Sequence, residues 1–178
     1  MELEEYVVRL YRRKDFSRCS FTVEEINELE KTNELLVYLP ANLTYKQLCD
    51  MFKIKSNINF SNGGLIKNVM QDEDQWFITS ANKSPELLYT NARTAERIYE
   101  DGGLNGMDFR RYLAFAATFK DKFKEFPDNS YWTFLLAGSY DRSGVSIVGF
   151  DKNKVLSHHG WMKDFKSKFN GSRYIVLP

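Results

Sequence analysis

A chain of 178 residues with 43% apolar and 28% charged side chains can bury a core without disulfide staples, as one domain or as two small subdomains. Four prolines, no internal repeat and no low-complexity run exclude long disorder. The net charge of +1 is unevenly spread: residues 1–108 carry 13 basic against 18 acidic side chains, a balance of −5, and residues 109–178 carry 12 against 6, a balance of +6.

The opening "MELEEYVVRL" has three acids and no long apolar run, unlike a secretory leader. No apolar stretch reaches the roughly 20 residues of a membrane span. A cytoplasmic protein without a membrane segment is expected, with Cys19 and Cys49 as reduced thiols. Leu3, Tyr6, Val7 and Leu10 recur at helical spacing, although residues 6–11 also read as a strand. Arg9, Arg12, Arg13, Lys14 and Arg18 follow as a solvated face or a phosphate patch, which makes Arg12 and Arg13 candidates for partner contact.

Thr22 and Glu25 have capping-box spacing and predict a short acidic helix, after which "ELLVYLP" reads as a strand ended by Pro40. Thr44 and Gln47 repeat the device. Tyr45, Leu48, Met51 and Phe52 then share one helical face. With Leu48 followed by the small Cys49, this helix resembles the first helix of many helix-turn-helix units. The resemblance implies a DNA-binding regulator acting through residues 44–70, its second helix falling in "GGLIKNVMQDE". "NFSNGG" is a loop, Asp72-Glu73-Asp74 a solvated turn, and residues 76–79 a strand.

Ser84-Pro85-Glu86 has the chemistry of a helix start, and Leu88, Ala92, Ala95 and Tyr99 continue one face to Gly102-Gly103. The clearest helix opens at Asp108, with a stripe of Phe109, Tyr112, Leu113, Ala116, Phe119, Phe123 and Phe126. "YWTFLLAGSY", "VSIVGF" and "VLSHH" read as three strands of a meander. "GWMKDFKSKFNG" reads as a short helix and "RYIVLP" as a last strand. The expected fold class is α+β: an antiparallel meander packed against amphipathic helices in the C-terminal part, with a mostly helical N-terminal part. Residues 1–70 and 71–178 are the expected subdomains, unless the chain forms one compact domain.

His158 and His159 are the only histidines. A two-residue turn centred on Lys152-Asn153 would set Ile147 opposite His158 and Ser146 beside His159. Neighbouring strand residues point to opposite faces, so the pair cannot bind one metal together. No metal or cofactor is therefore expected. The order hairpin, histidine, helix resembles the ββα-metal nuclease site, in which a histidine activates water and a helical Asn or His helps hold the cation. That resemblance implies metal-dependent nucleic-acid cleavage by the His158/His159 segment with Asn170 in support, though this chain lacks that family's second metal-binding histidine. "GSYDRSG" offers Tyr140 and Arg142 as contact residues in a turn, and Lys163 and Lys166 add basic candidates.

The leading expectation is a non-enzymatic binding or regulatory protein whose partner is another protein or a protein–nucleic-acid complex. Nucleic acid itself is a further expected target of the basic C-terminal part. Richness in Asn, Lys, Phe, Tyr and Ile fits an AT-rich bacterial or phage genome, where an inhibitor carried on a mobile element is a natural form of such a protein.

Overall fold

The computed structural model describes residues 3–58, 72–140 and 144–178. The N-terminal part begins with helices α1 (Leu3–Tyr11) and α2 (Val23–Thr32), followed by strand β1 (Glu34–Leu39) and helix α3 (Tyr45–Phe52). Both capping boxes form. The Glu25 carboxylate accepts from the Thr22 amide at 2.7 Å while Thr22 Oγ1 accepts from the Glu25 amide at 3.2 Å. Thr44 and Gln47 reproduce the pair at 2.8 and 3.2 Å. Asn33 closes α2 in the left-handed region, φ 55°, which turns the chain directly into β1. Strand β2 (Gln75–Ser80) pairs β1 antiparallel, from Glu34 opposite Ser80 to Leu39 opposite Gln75. The second helix of the helix-turn-helix resemblance falls largely on residues 59–71, outside the described ones.

The C-terminal part contains α4 (Ala92–Asp101), β3 (Asn105–Gly106), α5 (Phe109–Phe123), β4 (Trp132–Tyr140), β5 (Gly144–Phe150), β6 (Leu156–Met162), β7 (Asn170–Ser172) and β8 (Tyr174–Ile175). The class is α+β. β4, β5 and β6 form the expected antiparallel meander, and β7 joins it parallel to β4, giving the order β6-β5-β4-β7.

Helix α5 is buried around most of its circumference, as a helix between two sheets must be. It packs on β1 and α3 on one side and on β4 on the other. Tyr112 stacks over Phe150, with ring centroids 6.4 Å apart, and Phe126 stacks on the same ring at 4.2 Å. One hydrophobic cluster consequently runs from Tyr6 to Ile175 and takes in Leu135, Val148, Phe150 and Leu156 from one sheet face. The other face carries Phe134, Val145 and Ile147 under Ala92 of α4, with Trp132, Leu136 and Trp161 half-buried around them.

Four local expectations change. The helix expected from Ser84 starts at Ala92, with Asn91 as its cap accepting from the Thr94 amide at 2.8 Å. Glu86 instead gives its carbonyl to the Ser172 amide at 2.8 Å, and Leu87 and Tyr89 take positive φ, so no helix can pass through them. The segment expected as a helix after His159 continues as strand to Met162 and then crosses to β7 without a helix. β6 and β7 are the outer strands of the sheet, three spacings of about 4.8 Å apart. A seven-residue helix rises only about 10 Å and cannot bridge them. The last strand is reduced to the short pair β3–β8, with a separate bridge between Ile78 and Val176.

The fourth change is a register. The β5–β6 loop has three residues: the Asp151 amide donates to the Val155 carbonyl at 3.0 Å, and Lys154 sits at φ 63°. This is a type I turn followed by a left-handed residue. The Asp151 carboxylate supports it by accepting from the Asn153 and Val155 amides at 2.8 and 2.9 Å. The extra residue slides the pairing by one, so Val148 faces His158 and Ile147 faces His159. Among the described residues no helix is long and apolar enough to cross a membrane.

Candidate functional site

A one-residue slip exchanges the faces a strand presents to its neighbour. His158 therefore turns to the main core, where its ring lies 5.7 Å from that of Phe109. Burial, and then the neighbouring His159, pull its pKa down to about 4, so the imidazole is neutral at physiological pH. His159 turns to the other face and meets the Trp132 ring edge-on at 5.0 Å. The two rings diverge, as alternation requires. Ser146, expected beside His159, shares the face of His158 instead. Among the described residues no group of three His, Cys, Asp or Glu side chains converges as a metal site would demand. Asn170 is buried and opens strand β7 opposite Trp132 rather than lying on a helix.

Arg12 is exposed just past the end of α1, in the left-handed region at φ 54°. Arg13 lies 3.5 Å from Asp74. Asp74 itself was expected in a solvated turn, yet it accepts from the Ala41 and Ser17 amides at 2.9 and 3.0 Å. It ties three separate segments together, which gives Arg13 a structural partner. Tyr140 ends β4 with its backbone paired to Gly144. Arg142 lies outside the described residues.

Lys163 and Lys166 lie where the structure concentrates aromatic rings. Residues 163–169 cross the sheet from the β6 edge to the β7 edge, over the face that carries Ala92, Val145 and Ile147. The N-terminus of α4 anchors this crossover. The Arg93 guanidinium forks onto the Asp164 carboxylate at 2.6 and 3.1 Å, and its amide donates to the Lys163 carbonyl at 3.3 Å. Arg93 holds the Asp164 carboxyl below its usual range. The Trp161 indole donates to the Phe165 carbonyl at 3.2 Å, and the two rings meet edge-on at 5.6 Å. At the far end, the Trp132 amide donates to the Phe169 carbonyl at 2.7 Å.

The crossover is therefore fixed at both ends while its outward side chains stay in water. Phe165 is 52% exposed and Phe169 47%, large values for side chains this apolar. Lys163 reaches Glu96 at 3.8 Å, Lys168 lies 4.9 Å over the Phe169 ring, and Lys166 is exposed. Phe165, Phe169 and Lys168 complete this surface and were not among the expected contact residues. The alternation of lysine and phenylalanine in "KDFKSKF" is the signal that could have found them. As a helix this segment would have turned its aromatic side inward; as a crossover with turns at 162–165 and 167–170 it leaves Phe165 and Phe169 exposed.

A groove of about 640 Å³ opens elsewhere, between α1, α2 and β1, with Leu3, Ile26, Leu29 and Leu36 in its wall. The buried hydroxyls of Tyr6 and Thr118 beneath it bond to each other at 2.7 Å. The fold thus defines an α+β protein with an aromatic and basic crossover on the outer face of its larger sheet. No family model matches the chain, and no curated protein or solved structure matches it significantly.

Proposed function

We propose that the chain is a non-enzymatic binding protein of the cytoplasm that engages a protein or a protein–nucleic-acid complex through the crossover of residues 163–169. One observation carries this reading: Phe165 and Phe169 are held exposed among three lysines on a segment anchored at both ends. Exposing apolar rings costs hydrophobic free energy, at roughly 25 cal/mol per Å² left in water. Rings kept outward on an ordered segment are suited to being covered by a partner. Regulation or inhibition of that partner follows if the covered surface is one it needs. An inhibitor encoded on a mobile element remains the form of regulator that the composition suggests.

The test is affinity capture from lysate with the wild-type chain and with the double variant Phe165→Ala, Lys166→Glu. The expected result is a defined set of partners that the variant loses. Capture of the same partners at the same yield by the variant would remove the crossover from the binding surface.

A further inference from the structure

The chemistry of the crossover narrows the partner. Among the described residues, its cations outside any ion pair are Lys166 and Lys168, the latter lying over the Phe169 ring; the nearby arginine, Arg93, is bound to Asp164. Protein–protein interfaces favour arginine and are depleted in lysine. Lysine ammoniums beside aromatic faces instead suit a strand with phosphates on one side and flat bases on the other. Bases within a duplex are already stacked on each other and unavailable to such rings, whereas a single strand presents them.

We infer that this surface takes single-stranded nucleic acid, with phosphates held by Lys166 and Lys168 and bases stacked on Phe165 and Phe169. This rests on the reading that the crossover is the partner surface and names the chemistry it reads. Lys163 contributes less, since Glu96 faces it at 3.8 Å. Asp164 does not repel the strand strongly, because Arg93 neutralises it.

The experiment is fluorescence anisotropy of the full chain with labelled 15-nucleotide dT and rU strands and with a 15-base-pair duplex, over a range of salt. Each phosphate neutralised on a single strand contributes about −0.7 to the slope of log K against log salt. Two lysines give about −1.4, roughly a 25-fold loss per tenfold rise in salt. The expected result is single-strand binding with that slope, and weaker duplex binding. Phe165→Ala and Phe169→Ala should each weaken binding on the order of tenfold at an unchanged slope. The double variant Lys166→Ala, Lys168→Ala should flatten the slope towards zero. These side chains are all exposed, so the variants should keep the wild-type near-ultraviolet circular dichroism. Absent single-strand binding at low salt, binding indifferent to both sets of variants, or preference for the duplex would each overturn the inference. If the strands do not bind but Phe165→Ala, Lys166→Glu still loses partners from lysate, the nucleic-acid inference falls and the binding-surface reading stands. If that variant keeps its partners, both fall.

Discussion

Asp128 and Arg173 are an ion pair with both side chains wholly buried. Asp128 Oδ1 accepts from Arg173 Nη2 at 2.6 Å, and Oδ2 accepts from Thr133 at 2.7 Å and Tyr112 at 3.0 Å. Arg173 also donates to the Asn82 carbonyl at 2.9 Å, and its guanidinium lies 4.5 Å over the Phe115 ring. Burial works against the charge of Arg173, but Asp128 and then Glu86 hold its pKa above the usual value. Removing one partner strands the other charge, so Asp128→Ala should cost about 3–5 kcal/mol in urea unfolding. A loss under about 1 kcal/mol would show that the pair is not the keystone of this region. His158 supplies a pH dependence. Its pKa is depressed to about 4 against about 6.5 unfolded, so the unfolded chain binds more protons between these values. The stability this contributes is fully present above pH 6.5 and is lost as pH falls towards 4, on the order of 2–3 kcal/mol. His158→Phe keeps a ring against Phe109 without the titration. Its pH–stability curve should be flatter than the wild type's over that window, and parallel curves would refute the assignment.

The elements show how a few backbone contacts decide the C-terminal topology. β7 is three residues long, yet it pairs with β4 and lies against the 85–86 segment. A Cβ on Gly171 would collide with the Glu86 carbonyl oxygen and press on the Pro85 ring. Backbone cannot yield there as a side-chain tip can, so Gly171→Ala should destabilise by about 1–3 kcal/mol, read as a lowered Tm. An unchanged Tm would mean that the 85–86 segment moves freely. By contrast, the capping boxes of α2 and α3 were legible from four residues each, because a cap is satisfied inside its own turn. The β5–β6 register was not: a left-handed Lys154 extends the loop by one residue, and lysine carries no strong preference that announces it. That single residue sends His158 rather than its neighbour into the core.

At the scale of the whole molecule, α5 is the shared wall of two sheets, and burial divides the chain into an inner core and an outer sheet face. The proposed binding surface lies on the outer face, apart from the Tyr112, Asp128 and Arg173 network that supports the inside. Binding and stability should therefore separate. The double variant Phe165→Ala, Lys166→Glu should stay within about 0.5 kcal/mol of wild-type stability, as exposed substitutions usually do. A loss of several kcal/mol, measured by urea unfolding, would mean that these side chains hold the crossover itself rather than wait for a partner.

The α+β class, the caps of α2 and α3, the central helix and the three meander strands could be read from the sequence alone, because each follows from patterns shorter than about 20 residues. So could the divergence of the two histidines, which needs only the alternation of a strand. The tertiary structure alone decided which histidine turns towards the core, that Asp128 meets Arg173 across 45 residues, and that 163–169 is a crossover without a helix. The last decision matters most for function. The spacing of Trp161, Phe165 and Phe169 suits a helix, and helical propensity is worth only tenths of a kcal/mol per residue. The span between the two outer strands exceeds what seven helical residues can reach, so chain length overrides propensity and leaves the aromatic and basic side chains of this segment facing water.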